Sequence, residues 1–531
     1  MKVENAYESP VATGQIVWIA DPANGRVAYI DAQTFAVQTA AAGNEPTYLA
    51  AVPDPSDDVA IVQNVLSHDA TLLRVHAGQI SATTYPSTPD GNAWAVSPKG
   101  RWAIAWANAE FVQDADPTQG FQNVEVLDLS GQRAPIVLNV GYRPSQVAFS
   151  GDESHAYAVT EDGISVLDLT GGAVPAAVAL YPLAVSVPSS PAPPEAGLPP
   201  EASTTDGSSE AGDVNVDGGP ATDGSQVDVV IAPSEDASVV ATSTPDVSFT
   251  SDAKYALVRL DGYAAVTVVS LADGSSVPVP LPSPPTDLTV SPTGAFAIAV
   301  MRDVSAVAVL PLPGIFSDPT SFTIVSIPGQ VIGRAIVTDD GQSALLFTTA
   351  APVPSLTVLT LGATPSYRVV TLHAPVLAVF PTHDGQNAIV LHQMTPTAGS
   401  SIEGAFSIVP VTQDLPALIQ GVPAPPTAVA VAPTSDYALI STRDDTTGTF
   451  GLYLGLMPSL QVIPYTLASP PTAVGIAAGA GRGYAAQDYA EGRITFVDFQ
   501  SASDCDASSC SSSRTISGFE LNARVVNGAT P

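Results

Sequence analysis

One phrase constrains this chain more than any bulk property. Residues 97–106 read "SPKGRWAIAW", and residues 291–300 read "SPTGAFAIAV". Weaker copies follow the same rhythm of Pro, apolar run, turn and apolar run. They are "PSQVAFSGDESHAYAV" from Pro144, "PVLAVFPTHDGQNAIV" from Pro375, "PTAVAVAPTSDYALIS" from Pro426 and "PTAVGIAAGAGRGYAA" from Pro471. Looser ones are "SPVATGQIVWIA" from Ser9, "PTYLAAVPDPSDDVAIV" from Pro46, "PDVSFTSDAKYALVRL" from Pro245 and "GRAIVTDDGQSALLF" from Gly333. Each copy reads as a β-hairpin, with Gly or Asp-Gly supplying the positive φ of a tight turn. Most are followed by a β-branched third strand, such as "VEVLDLSG" at 124–131, "ISVLDLTG" at 164–171 or "VTVVSLADG" at 266–274, and then by a shorter fourth.

Four strands per unit, repeating about every 45 residues, predict an all-β propeller of four-stranded blades. No stretch holds a 3.6-residue apolar period, so a helical fold is excluded. Ten copies exceed the usual four to eight blades. One large ring, two smaller propellers and chance copies are the readings of that number, and one ring is favoured. The stretch "VDVVIAPSEDASVV" at 227–240 shows that chance copies occur, because it stands too close to the Pro245 copy. The first unit shows no clear first strand, and "SRTISGFELNARVV" is left over near the C-terminus. The expectation is that this C-terminal strand joins the first blade and locks the ring, leaving no open sheet edge.

These units resemble the YVTN-type and lactonase-like propeller repeats, most closely in "NGRVAYIDAQTFAV" at 24–37. The resemblance implies a fold, not an activity. The Tyr-Val-Thr-Asn tetrad is absent, as are the Trp-Asp ending of WD40 repeats and the Ser-x-Asp-x-Gly-x-Thr-Trp box of sialidases.

Composition narrows the partners. The formal charge is −34, from 51 acidic and 17 basic residues. Such a surface repels nucleic acid and anionic lipid heads. No apolar run reaches transmembrane length. The start "MKVENAYESP" has no apolar leader core. Few lysines, abundant Ser, Thr and Pro, and the pair Cys505 and Cys510 favour a mature extracytoplasmic chain, with the two cysteines closing a small disulfide loop.

Between the copies lies a Pro-, Ser-, Gly- and acid-rich insertion at 187–226, which divides the propeller into 1–186 and 227–531 and reads as disordered. Inside it, "DVNVDG" places Asp213, Asn215, Asp217 and Gly218 as the first half of a calcium loop. Gly224 stands where that loop needs its bidentate Glu, so calcium is the sharper reading and a solvated acidic linker the plainer one.

No catalytic motif stands out. The six histidines form no metal pair, and no nucleophile elbow, P-loop or dinucleotide fingerprint occurs. His155 and His383 fall at hairpin turns, and the tryptophans Trp18, Trp94, Trp102 and Trp106 read as packing between sheets. The expected function is a non-catalytic, monomeric binding scaffold for a protein or glycan partner, without a bound cofactor. A lactonase-like hydrolase working at the channel mouth is the alternative, and a redox subunit that docks a partner is a third reading.

Overall fold

The computed structural model describes residues 10–87, 91–109, 112, 121–170, 174–183, 245–362, 364–394, 401–457, 459–503 and 512–518. These form ten four-stranded antiparallel sheets, each built from four strands consecutive in sequence. Blade 1 comprises Val11–Ala12, Ile16–Asp21, Arg26–Asp31 and Val37–Ala41. Blade 6 comprises Asp287–Val290, Phe296–Met301, Ala306–Pro311 and Thr323–Ser326, and blade 10 Pro471–Ala477, Arg482–Gln487, Arg493–Asp498 and Ser513–Ser517. Blades 2 to 5 span 46–86, 93–139, 146–181 and 246–280, and blades 7 to 9 span 334–371, 376–422 and 426–466. The ten sequence copies are the first hairpins of these ten blades.

Ten apolar clusters each fill the gap between two successive blades. Ile16, Trp18 and Val27 of blade 1 pack with Ala60, Val62 and Leu73 of blade 2. The pattern continues around the chain. The last cluster joins Tyr484, Ile494 and Phe496 of blade 10 to Val17, Ala28 and Ile30 of blade 1. Every blade therefore has two neighbours, and the chain closes into one ring of ten. The tryptophans lie where packing predicts: Trp102 and Trp106 share the cluster between blades 3 and 4, and Trp94 abuts the one between blades 2 and 3.

Closure differs from the expectation. Ser513–Ser517 pairs with Arg493–Val497 inside blade 10, not with blade 1. Blade 1 has its own first strand, Val11–Ala12, paired with Val17 and Trp18. The ring is locked by side chains and loops instead. Arg482 donates from Nη1 to the carbonyls of Ala32 and Gln33 in blade 1 and from Nε to Asp498 Oδ2 at 3.0 Å. Its guanidinium lies 4.4 Å from the centroid of the Phe35 ring. The Gly479 N–H donates to the Gly14 carbonyl at 2.7 Å. Buried apolar area between blades 10 and 1 already closes the circle, so no exchanged strand is required.

The repeated phrase has a local cause. In six blades its first residue is a buried Ser or Thr: Ser97, Ser150, Thr250, Ser291, Thr338 and Thr382. The hydroxyl accepts the N–H five residues on, as in Ser97 from Trp102 at 2.9 Å and Thr382 from Asn387 at 3.0 Å. In four blades it also donates to an Asp two residues on, as in Thr338 to Asp340 at 2.6 Å. The side chain thus satisfies a backbone donor that the hairpin turn would leave unpaired. The fourth residue of the turn takes a left-handed conformation, with φ of 72° at Gly100 and 70° at Gly294.

Two stability predictions follow from this architecture. A Cβ at Gly100 would collide with the carbonyl oxygen of Pro53 in the neighbouring blade, whereas one at Gly262, with φ of 80°, meets open space. Gly262→Ala is expected to cost only the roughly 1–2 kcal/mol of the left-handed conformation, and Gly100→Ala clearly more, read from urea midpoints. Arg482→Met keeps the length of the aliphatic stem but removes the guanidinium with its charged hydrogen bonds, and is expected to cost about 1.5–3 kcal/mol.

Candidate functional site at the channel mouth

The first strand of each blade is innermost. First strands of neighbouring blades touch through hydrogen bonds, whereas the fourth strands are the most exposed. Because the strands alternate in direction, the loops into the first strand and between the second and third strands share one rim of the channel. Propeller sites gather on such a rim from several blades.

The repeats themselves supply the alignment. Three residues before the last inner-strand residue of each hairpin stand Leu49, Ala93, Gln146, Asp246, Asp287, Arg334, Ala378, Ala428 and Val474 in blades 2 to 10. The ring of equivalent positions is apolar except over blades 4 to 7, where it is polar or charged. The charged part is a single sector on blades 5, 6 and 7.

Within that sector the groups are tied across blades. Arg259, at the end of the second strand of blade 5, donates from Nε to Asp246 Oδ2 at 3.1 Å and from Nη1 to Asp261 Oδ1. Nη1 also reaches the Pro285 carbonyl at 3.2 Å, beside blade 6. Asp287 Oδ2 accepts the N–H of Ala335 in blade 7 at 2.8 Å, and Thr289 donates to the carbonyl of the same residue at 2.9 Å. Thr286 donates to the Gly333 carbonyl at 3.0 Å. Burial raises the Asp287 carboxyl above its ordinary value, opposed by the Ala335 N–H and by the charge of Arg334. A carboxylate kept at a desolvated position despite that cost is the kind of group that marks a working site. Arg302, in the turn after the second strand of blade 6, completes the sector: a Cβ on Gly333 would collide with its Nη2.

Elsewhere the structure places the predicted residues singly. His383 pairs with Asp339 of the adjoining blade at 2.7 Å, half exposed, and His155 begins a strand of blade 4. His392 is buried: its Nδ1 donates to the Pro375 carbonyl at 3.2 Å and its Nε2 accepts from Ser407 at 2.7 Å. Burial lowers its pKa, so it is a neutral part of the core. Asp213, Asn215, Asp217, Cys505 and Cys510, the insertion at 187–226 and the 227–240 stretch all lie outside the described residues. Among the described residues no group of three His, Cys, Asp or Glu could hold a metal ion, and no helix is long and apolar enough to cross a membrane. On the opposite rim, a cleft of about 290 Å³ between blades 8 and 9 is lined by Asp384, Gln386, Ser435 and Asp436.

Sequence reading missed the charged sector because its members are far apart in the chain. The signal was present in the copies: "PDVSF", "PTDLTV" and "GRAIV" carry Asp246, Asp287 and Arg334 where most other copies carry an apolar residue.

No known family pattern and no curated protein matches the sequence. Solved structures share the fold at low identity. The dihydro-heme d1 dehydrogenase NirN, solved in complex with DHE, is 13% identical over 88% of this chain and 76% of its own, with a TM-score of 0.45. Apo AztD from Citrobacter koseri is 12% identical over 70% and 87%, with a TM-score of 0.38. Hydrazine synthase of Kuenenia stuttgartiensis is 11% identical over 88% and 97%, with a TM-score of 0.31. Likeness at this level carries no function across.

Asp287→Asn tests the electrostatics of the mouth. The amide oxygen keeps the Ala335 contact and removes a desolvated charge. A carboxyl whose folded pKa is raised costs stability once pH exceeds its unfolded value. The variant is therefore expected to be more stable than the wild type at pH 7, and the gain to vanish below about pH 4. Thermal melts across that range read the difference.

Proposed function

We propose that this ring is a non-catalytic binding scaffold working outside the cytoplasm, and that it engages its partner at the rim of blades 5 to 7. The observation that carries this reading is the way the sector is bonded. Asp246 and Arg259 neutralise each other, and Asp287 is engaged by a backbone N–H of the next blade. Carboxylates held this way rigidify a surface and orient the remaining charge; they are not poised as a free base beside a nucleophile. The apolar inner positions of the other blades give that surface one polar side, which fixes how a partner can approach. The secreted type of composition, rich in Ser, Thr and Pro and poor in Lys, supports an extracytoplasmic place of work.

The test pairs two measurements on the full chain. Native mass spectrometry of protein taken from its own host, after cell fractionation, is expected to show it outside the cytoplasm and carrying a partner that Arg334→Gln loses. Assay against a panel of lactones and esters, with and without calcium, is expected to show no turnover that depends on Asp287. Turnover abolished by Asp287→Asn would overturn the scaffold reading in favour of a hydrolase.

A further inference from the structure

On the rim opposite the charged sector, four blades open their second strand with a large ring: Trp102, Tyr255, Phe296 and Tyr437. Two of these rings stack on a phenylalanine of the next blade. Tyr255 meets Phe316 with ring centroids 5.5 Å apart, and Tyr437 meets Phe499 at 4.5 Å. Such pairs close the gap between the sheets at that rim. Blade 8 has Asn387 at this position, and blade 9 sets Met457 and Leu460 against it instead of a ring. The gap stays open there as the cleft of about 290 Å³.

Asn387 faces into this cleft. It stands opposite Pro410 and shares the parity of Ile389, which packs towards blade 9. Only 7% of the residue is exposed. Its backbone is bonded to Thr382, but among the described residues its side-chain amide has no hydrogen-bond partner. A buried amide left unpaired costs free energy that a bound molecule would recover.

The walls supply charge. Asp384 Oδ1 accepts from Thr382 and from the Gln386 N–H, and Oδ2 has no partner among the described residues. The Asp384 N–H donates to Ser435 Oγ at 2.9 Å, which ties the turns of blades 8 and 9 together beside the cleft. Asp436, the next residue, is exposed and its carboxylate is likewise unpaired. No Lys, Arg or His lines the cleft. The cations of this region are engaged elsewhere, His383 by Asp339 and Arg368 by Asp414 and the carbonyls of Pro410 and Val411.

We propose that the cleft between blades 8 and 9 binds a small aliphatic amine that also carries a hydroxyl group. The carboxylates of Asp384 and Asp436 suit its ammonium, and Met457 and Leu460 suit its carbon stem. The Asn387 amide, donor and acceptor at once, suits the hydroxyl. A bare metal ion would gain nothing from the apolar wall, and anions are disfavoured by the charge of −34. This site lies on the other rim from blades 5 to 7 and stands or falls apart from the partner reading.

The experiment is calorimetric titration of the full chain with aminobutanol, with butanediol as its uncharged analogue, and with calcium chloride, at constant ionic strength. Aminobutanol is expected to saturate one site per chain, and butanediol to give no binding heat. Asp436→Asn is expected to weaken aminobutanol binding roughly tenfold, the size of one charge-assisted hydrogen bond. Asp303→Asn removes the same charge from an exposed position on the other rim and should leave binding unchanged. Asn387→Tyr, which supplies the ring that blade 9 carries, should fill the cleft and abolish binding at unchanged net charge. Melting curves confirm that each variant is folded, and Asp436→Asn decides the matter if Asn387→Tyr is not. No saturable binding of aminobutanol, or binding that survives in folded Asn387→Tyr, would overturn the site. Equal weakening by Asp303→Asn and Asp436→Asn would reduce it to general attraction and overturn it as well. Butanediol binding as tightly, or calcium displacing the amine at equal concentration, would overturn the amine preference.

Discussion

Face-to-face packing of successive sheets is the constraint on which this structure depends. A four-stranded sheet of this length has two apolar faces and cannot bury either alone. Each blade solves the problem by lending one face to each neighbour, so the assembly stays open to solvent and aggregation until the last blade meets the first. Blade 10 meets blade 1 through the same kind of apolar cluster that joins every other pair, with Phe496 and Tyr484 set against Val17 and Ile30. Arg482 then spans the seam to two backbone carbonyls. The ring closes by repetition of one interface, reinforced at the junction.

That architecture also explains where chemistry can reside. The third and second strands are enclosed between sheets and are apolar almost throughout. The inner strands are held by cross-blade hydrogen bonds such as Thr289 to Ala335. What varies is the residue at the channel mouth, which in blades 5 to 7 stands outside the apolar clusters between the blades. Nine blades give nine samples of that position, and charge accumulates in three adjacent ones. A site assembled in this way has rigid parts where a member is anchored to the next blade, as Asp287 is to Ala335 and Arg259 to the Pro285 carbonyl.

Hairpins and strand order were legible in the chain because each depends on local chemistry, while the number of blades stayed open because chance copies of the phrase occur. A Ser or Thr that bonds across the turn, a residue able to adopt positive φ, and apolar runs on either side recur at readable spacing. Closure was misjudged for a physical reason. The two-residue strand Val11–Ala12 is too short to show a period, and the sequence of Ser513–Ser517 suits pairing with either end blade. Which edge it takes depends on the distance it must span, and only the folded ring sets that distance.

The sequence by itself determined that this protein is a repeat of four-stranded β units, with an acidic surface and hairpin turns of a recurring design. Those features follow from backbone preferences within a few residues of each other. Only the tertiary structure decided that the ten units form a single ring. It alone brings Arg302 of blade 6 against Gly333 of blade 7, and sets Asp287 on the neighbouring blade's backbone. Contacts between blades join residues roughly one repeat period apart, here about 45 residues. Their partnership depends on how the sheets are stacked, which no local pattern encodes.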